Sequence, residues 1–276
     1  MIENSAVTSS RGCSSLRIKV NLLVHLVRRD FSARYRGASL GVLWSIISPV
    51  LMLLVFSFVF GTIFGSRWAG LDHGGGKIGF AVVLFTGIAM HACLAEVSSR
   101  CVAIVRSNPN YVKKVVFPLE LLVAATVISQ FLHYLVAFAL VLAGALLMNM
   151  VQHPAAILIA LAWTVPLGLL AVALAFAWAG VGAYLRDLEQ GVTFVSSVFL
   201  FISPIFYPLA VVPADYVAIF KLNPLTPLVT GMRAALFSSD SIDLASYLQV
   251  SLISLGVALI AFFVFMRLKR GFADAI

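Results

Sequence analysis

Four titratable side chains lie within or beside long apolar runs, where acid–base chemistry would be possible: His91, Glu96, Glu120 and His133. A membrane enzyme would need a carboxylate or imidazole pair of this kind facing a cavity. His91 and Glu96 are five residues apart, so they do not stack on one helix face as residues spaced by four do. We therefore expect Glu96 to lie near a membrane surface and His133 to hydrogen-bond to a neighbouring helix, with a functional role as the alternative.

Motifs for metal binding and ATP hydrolysis are weak or missing from the sequence. Cys13, Cys93 and Cys101 have no CxxC spacing and no histidine cluster beside them, so no metal site and no disulfide framework is predicted. The stretch GLDHGGGK at residues 70–77 resembles a phosphate loop only faintly, because a Walker A motif needs glycine in place of Leu71 and serine or threonine in place of Ile78. The chain is not expected to hydrolyse ATP by itself.

The composition is that of a membrane protein. Hydrophobic residues make up 62% of the chain and charged residues 11%, whereas soluble domains carry roughly 25% charged residues. The net charge is +8, which could indicate nucleic-acid binding in a soluble protein. Here the basic residues lie beside apolar runs, a pattern that orients membrane segments, so no nucleic-acid partner is predicted.

Several apolar runs reach the roughly 20 residues that a transmembrane helix needs. The predicted spans are residues 40–64, residues 78–95, two helices within residues 121–185, residues 192–212 and residues 244–266. The polar residues between 149 and 154 mark the turn that divides the long run. The span at 192–212 ends in the proline-broken stretch SPIFYP, residues 203–208. The motif GTIFG at 61–65 either packs helices closely or ends the first span.

The basic residues define an orientation for these six spans. With the N-terminus inside, fifteen Lys and Arg residues fall on the cytoplasmic side, and only Arg67, Lys77, Lys221 and Arg233 fall on the other. This is a strong positive-inside asymmetry. The sequence therefore predicts an all-α integral membrane protein with six transmembrane helices and both termini in the cytoplasm.

Three shorter segments complete the predicted architecture. Residues 16–31 form a basic amphipathic helix that would lie on membrane lipids at the interface. Gly37 and Gly41 would let the chain turn from this helix into the bilayer. Between the fifth and sixth spans, residues 216–222 and 225–237 are apolar but too short to cross, which is typical of re-entrant or interfacial helices.

Aromatic side chains cluster around the fifth span and the segment after it. They are Phe194, Phe199, Phe201, Phe206, Tyr207, Tyr216 and Phe220. Such residues form the aromatic belt at a membrane interface, or their faces support sugar rings that pass by. Composition alone favours the belt.

Four motifs in series resemble a known family. They are RYRG at 34–37 followed by Leu40-Gly41, Trp44 and Pro49; SNPNYVKKVVFP at 107–118; YLRDLEQ and SPIFYP within 184–208; and NPLTPLVTGMRAAL at 223–236. Together they resemble permease subunits of type-2 ABC exporters for bacterial polysaccharides, most closely the O-antigen and teichoic-acid exporters. The resemblance covers nearly the whole chain after the first fifteen residues. One departure is Leu119, where many relatives have arginine.

The resemblance implies that transport and ATP hydrolysis are carried out by separate subunits. Residues 1–36 would be a cytoplasmic N-terminus with the amphipathic helix, and residues 37–276 a six-span ABC-2 type transmembrane domain. Two copies of the chain would form a homodimer and pair with two copies of a separate ATPase, which would bind the ATP and Mg. The complex would export a lipid-linked polysaccharide across the bacterial inner membrane, and this chain would bind no cofactor and catalyse no reaction.

The resemblance also implies roles for particular residues. The loop that docks in the ATPase would contain Arg106, Asn108, Pro109, Tyr111, Lys113 and Lys114. The cytoplasmic entrance and interface would contain Arg34, Tyr35, Arg36, Gly37, Trp44 and Glu120. The aromatic cluster would line the conduit and its outer gate, which makes sugar contact as plausible as a membrane belt. The remaining alternatives are an ABC-2 permease for drugs or small lipids and a membrane enzyme that acts on lipid-linked sugars.

Overall fold

The computed structural model describes residues 3–63, 76–113, 117–151, 153–238 and 243–275, and within these ranges it contains helices and no strand. The helices are α1 (Glu3–Ala33), α2 (Trp44–Phe56), α3 (Gly76–Ala103), α4 (Pro109–Lys113), α5 (Leu119–Leu147), α6 (Pro154–Gly182), α7 (Leu188–Ile202), α8 (Ala214–Leu222), α9 (Leu225–Phe237), α10 (Leu244–Leu268) and α11 (Phe272–Ala275). A 3₁₀ turn at Gly41–Leu43 precedes α2, and a π-helical turn at Ser57–Ile63 extends it. The predicted all-helical class is confirmed.

Five helical stretches in the described ranges are long and apolar enough to cross a membrane. They are Gly41–Ile63, Ile78–Ala103, Leu119–Leu147, Pro154–Gly182 and Leu244–Gly271. The predicted span at 192–212 differs, because α7 has 15 residues and ends at Ile202. At 1.5 Å per residue it is about 22 Å long, shorter than a hydrocarbon core of about 30 Å. Pro204 and Pro208 follow at once and prevent the helix from continuing.

Helix α3 forms the centre of the packing. It contacts α5, α6, α7 and α9, and 72% of its most apolar stretch is buried. Helix α10 packs along α6. The first span is peripheral, since within Gly41–Ile63 the buried residues are the small Ser45 and Gly61. Most of the hydrophobic side chains of α2 therefore remain available to lipid or to another copy of the chain.

The three shorter predicted segments agree with the observed helices. The predicted amphipathic helix at 16–31 lies within α1, which packs against α5 and buries Leu26. The turn after it has Gly37 at φ +88° and Gly41 at φ +51°. These are left-handed conformations that glycine adopts without strain, as the sequence predicted for a change of direction here. The segments predicted at 216–222 and 225–237 correspond to α8 and α9.

Helices α3 and α6 approach each other closely at Gly182. A Cβ atom at this position would lie 2.1 Å from the carbonyl oxygen of Val102. We expect Gly182→Ala to destabilise the protein by about 2 kcal/mol, which lowers the melting temperature of the detergent-solubilised protein by roughly 5 °C. Gly256→Ala in α10 is the matched control, because no atom lies within 4 Å of its added Cβ. Equal melting temperatures for the two variants would contradict this close approach.

Candidate functional site

The residues predicted at the cytoplasmic entrance are only partly brought together. Arg34, Tyr35 and Trp44 line one cavity of about 530 Å³ between α2, α3 and α5, which we call the polar cavity. Arg36 and Gly37 are exposed residues of the turn after α1. Glu120 does not line the polar cavity, and its carboxylate accepts a hydrogen bond of 2.6 Å from Lys269 beyond α10. The predicted set is thus divided into a cavity and a separate ion pair.

The end of α1 is attached to α3 by two ion pairs. Arg34 forms an ion pair with Glu96, and Arg100 donates to Asp30 over 2.9 Å. Both pairs join residues more than sixty positions apart in sequence, so they hold α1 and the following turn against the helical core. Glu96 is therefore engaged by a cation from the turn that follows α1.

His133 is enclosed by side chains from the same end of α1. The Phe31 ring stacks on its imidazole, with centroids 4.3 Å apart and planes inclined by 7°. Its Nδ1 lies 3.1 Å from the hydroxyl of Tyr35, so the predicted hydrogen bond of His133 reaches the turn after α1 rather than a neighbouring helix. Burial raises the pKa of the Tyr35 phenol above its usual value, against the opposing effect of Arg34. Tyr35 consequently stays a neutral hydroxyl at physiological pH.

The loop predicted to dock in the ATPase, which we call the coupling loop, contains a short, partly exposed helix. Helix α4 begins at Pro109, the position in a first turn at which proline is favoured. Before it, the Asn108 side chain donates to the Ile104 carbonyl over 2.9 Å, and Arg106 forms an ion pair with Glu189 at the start of α7. Lys113 is exposed, whereas Lys114 lies outside the described residues. Side-chain contacts therefore hold the loop in place and connect it to the start of α7.

The side chain of Tyr111 packs against the protein rather than extending into solvent. Its ring packs against Phe117 with centroids 4.3 Å apart. Its hydroxyl accepts a hydrogen bond of 2.9 Å from Arg29 of α1. The coupling loop is therefore joined directly to the amphipathic helix, a connection that the sequence did not indicate.

The predicted outer aromatics form two contacting groups and several separate side chains. Phe206 stacks between Phe60 and Phe201, with centroid distances of 5.8 and 6.0 Å. Tyr207 packs edge-on against Phe220 at 6.1 Å. Phe199, Phe194 and Tyr216 are exposed, and Phe199 also lines a small cavity that contains His91. The sequence cluster is thus a discontinuous aromatic surface.

Arg233 is a central polar residue of α9, although the charge pattern predicted it only as one of the four basic residues on the outer side. It is 7% exposed. Its guanidinium donates to the carbonyl oxygens of Val83, Pro204 and Ile205 over 3.0, 2.6 and 2.8 Å. Arg233 therefore links α9 to α3 and to the non-helical SPIFYP stretch. An arginine inside a short apolar segment was the available signal, because a buried charge requires specific partners.

A second set of hydrogen bonds fixes the same stretch. Asn223 donates to the Ser203 hydroxyl over 2.8 Å, and its side-chain oxygen accepts from the Leu225 amide over 2.9 Å. His91 Nε2 lies 2.8 Å from the carbonyl oxygen of Ser196 in α7. The proline-broken segment is thereby attached to α9, while α7 is attached to α3.

These long apolar helices, with polar contacts at their ends, define a multi-pass membrane protein. The sequence matches the family model "ABC-2 type transporter" over residues 21–237. The chain belongs to the ABC-2 type transporter family.

Several curated relatives match nearly the full chain. The O-antigen export system permease protein RfbA of Myxococcus xanthus is 23% identical over 263 residues, covering 92% of this chain and 95% of the relative. A protein of the same name from Klebsiella pneumoniae is 22% identical, covering 94% and 99%. The polysialic acid transport protein KpsM of Escherichia coli is 23% identical, covering 85% and 89%. The chain is similar along its length to proteins named for polysaccharide export or transport.

Proposed function

We propose that this chain is the transmembrane permease subunit of an ATP-driven exporter. Its substrate is a lipid-linked polysaccharide of the O-antigen kind, moved from the cytoplasm across the bacterial inner membrane. One observation carries the proposal: three relatives named for O-antigen export or polysialic acid transport each match at least 85% of this chain. The family match over residues 21–237 includes α4 and α9.

A gene deletion in the native bacterium tests this function. We expect the surface polysaccharide to disappear and its lipid-linked form to accumulate in the cytoplasmic leaflet. A plasmid copy of the gene should restore the surface polymer. Normal surface polysaccharide combined with an altered tolerance to drugs would instead favour the alternative of a permease for drugs or small lipids.

The contacts give little support to the alternative of a membrane enzyme. Glu96 and His133 both line the polar cavity, but each is already engaged by a side chain from the end of α1. Glu120 pairs with Lys269 and His91 with a backbone carbonyl. Residues 37–41, GASLG, match the GxSxG pattern of serine hydrolases, yet that motif requires a strand before the serine and a helix after it. Here the motif joins two helical segments.

We propose six membrane crossings with both termini in the cytoplasm. The fifth crossing would consist of α7 and the non-helical residues after it, and α8 and α9 would be re-entrant. The charge distribution supports this arrangement, because an odd number of crossings would place the basic end of α10 outside. Non-helical backbone at membrane depth must be buried in protein or line water, and Ser203 and Ile205 are fully buried.

Cysteine labelling in intact cells tests this topology. In a chain with Cys13 replaced by serine, Asp72→Cys should react with an impermeant thiol reagent applied from outside. Asn110→Cys in α4 should react only after the membrane is permeabilised, because the coupling loop would be cytoplasmic. Cys93 and Cys101 are buried and should contribute little background. The reverse labelling pattern would contradict the orientation.

The partners are also part of the proposal. We expect a homodimer, since the apolar residues of α2 are largely exposed in the single chain and a second copy could cover them. Two separate ATPase subunits would bind ATP and Mg. Helix α4 offers them a short exposed docking element beside the ion pair of Arg106 and Glu189.

Phe201 provides a test of the aromatic conduit. Its side chain is 64% exposed, so Phe201→Ala removes a platform for sugar rings with little loss of packing inside the chain. We expect a several-fold decrease in the rate of export at unchanged protein abundance. Leu259→Ala is the control, because Leu259 of α10 is 61% exposed but lies outside the aromatic groups. Equal export by the two variants would contradict a specific role of the aromatic face of Phe201.

A further inference from the structure

Three side chains of the polar cavity have buried polar atoms without a hydrogen-bond partner in the described part of the chain. They are Gln130 Nε2, His133 Nε2 and Tyr134 Oη, all from α5. Gln130 is 2% exposed and Tyr134 3% exposed. Leaving such a group buried and unpaired costs about 1–3 kcal/mol, so native structures rarely contain three together. Their common position indicates a molecule that supplies the missing partners.

The size of the polar cavity indicates something larger than a few waters. Its volume of about 530 Å³ lies within the roughly 300–1,000 Å³ range typical of small-molecule sites. A water molecule occupies about 30 Å³, and two or three would satisfy the unpaired atoms. Most of the remaining wall is apolar, with side chains such as Met52, Phe85 and Ile88. The cavity therefore combines a small polar region with room for hydrocarbon.

The charges at the cavity indicate a neutral polar group. Arg34 and Glu96 are the charged residues among those that line it, and they form an ion pair with each other. The unpaired atoms are an amide nitrogen, an imidazole nitrogen and a phenol oxygen, which suit hydroxyl and carbonyl groups. A bare phosphate would need an uncompensated cation to replace its hydration.

We propose that the polar cavity binds the neutral, hydroxyl-rich head of an amphiphilic lipid, with the lipid chain emerging beside α2. The first span provides the lateral opening, because its residues from Trp44 to Met52 form one wall and most of its large apolar side chains are exposed. Gln130 donates to a hydroxyl or carbonyl oxygen of the head group, and Tyr134 and His133 complete the hydrogen bonds. The sugar in the cavity belongs either to a neutral glycolipid of the membrane or to the lipid-linked sugar of the proposed function, whose phosphates would then lie outside the cavity.

Tyr35 controls part of this site. Its hydroxyl forms a hydrogen bond with Nδ1 of His133. This bond fixes the orientation of the imidazole and leaves Nε2 available to the ligand. Because Tyr35 and Arg34 follow directly after α1, bound lipid and the position of the amphipathic helix are coupled. Only the identity of the lipid source rests on the proposed function, and the site itself does not.

Photocrosslinking of the purified permease, without any ATPase, tests this site. The protein is placed in nanodiscs with one of three probes that carry a diazirine on the lipid chain: a glucosyl diacylglycerol, a polyisoprenyl diphospho-N-acetylhexosamine or phosphatidic acid. We expect saturable labelling of peptides from α2, α3 or α5 by at least one sugar-bearing probe. Octyl glucoside should compete with it, and phosphatidic acid should label these peptides at least fivefold less.

Conservative variants distinguish labelling by lipid bound in the polar cavity from labelling by lipid that contacts the surface of the helices. Gln130→Leu and Tyr134→Phe should each reduce this labelling at least threefold. Ser129→Ala is the matched control, because Ser129 is also a buried, unpaired residue of α5 but does not line the cavity. Tyr134→Phe removes one oxygen atom, so it serves even if Gln130→Leu fails to fold.

Each outcome of this experiment has a definite meaning. Stronger labelling by the glucosyl lipid identifies a membrane glycolipid, and stronger labelling by the diphospho-sugar identifies the export substrate. Equal labelling by phosphatidic acid, or full labelling of both variants, would overturn the site. Loss of the proposed export function would appear in the deletion experiment and would leave this binding result unchanged.

Discussion

Arg233→Met should nearly abolish export and sharply lower the amount of folded protein. The substitution keeps a long side chain but removes the donors for the carbonyl oxygens of Pro204 and Ile205. These two carbonyls lie in a non-helical stretch that has no helical ladder to satisfy them, and each unpaired group costs about 1–3 kcal/mol. We therefore expect destabilisation of at least about 2 kcal/mol, measured as the melting temperature in detergent, together with surface polysaccharide below a tenth of the wild-type amount.

The Arg233→Lys variant separates the effect of the planar shape of the guanidinium from the effect of its positive charge. Lysine keeps the positive charge but presents a single nitrogen, which cannot hold three carbonyls in the arrangement of a planar guanidinium. We expect intermediate stability and poor export. Gly87 provides a second test. A Cβ atom added at Gly87 would lie 2.9 Å from Nη2 of Arg233 and displace the guanidinium. Gly87→Ala should therefore have the same intermediate stability and poor export as Arg233→Lys. Wild-type stability of Arg233→Met would show that the arginine does not hold α9 in place.

Lys113→Glu should abolish export while the permease remains folded and abundant. Lys113 is exposed on α4, so its substitution leaves the core unchanged but reverses a charge on the element proposed to dock in the ATPase. We expect a loss of more than tenfold in ATPase co-purified with the permease, measured by quantitative immunoblot. Arg17→Glu, a reversal at another exposed basic residue of the N-terminal region, is the control and should retain the ATPase.

The Tyr111→Phe variant separates binding of the ATPase from transmission of its movement to the permease. Tyr111→Phe removes the hydroxyl that accepts from Arg29 but keeps the ring against Phe117. If α1 transmits ATPase movement, this variant should retain the ATPase and still export more slowly. Coupling between sites requires a physical element that both sites bias, and the Arg29 contact connects the loop to α1. Full ATPase binding and full export by Lys113→Glu would exclude α4 as the docking element.

Local patterns in the sequence were sufficient for most helices. The start of α4 at Pro109 was predicted, and the two short apolar pieces predicted α8 and α9, although α8 begins at Ala214 rather than at Tyr216. These features depend on neighbours within one or two turns. The fifth span was predicted as longer than α7, because its apolar composition continues past Ile202 although Pro204 and Pro208 end the helix there.

The contacts of the candidate site could not be predicted in the same way. Arg34 meets Glu96 and Asp30 meets Arg100 across more than sixty residues, and such pairs depend on how helices pack. Glu120 shows the same limit, since it was grouped with Arg34 but pairs with Lys269. Arg233 was counted by charge alone, and its inward direction depends on α9 lying against α3.

The two left-handed glycines after α1 form a hinge between the membrane surface and its interior. An added Cβ at Gly37 or Gly41 would meet no atom within 4 Å, so surrounding side chains do not restrict rotation there. On the N-terminal side of these glycines, Arg34 and Tyr35 attach the turn to α3 and α5 by polar contacts. These attachments are few and hydrogen-bonded, and they can exchange with water or a bound ligand without disrupting the core. The direction of the chain between α1 and the first span is therefore fixed on one side by polar contacts that water can replace, and on the other by the packing of the span against α3 and α5.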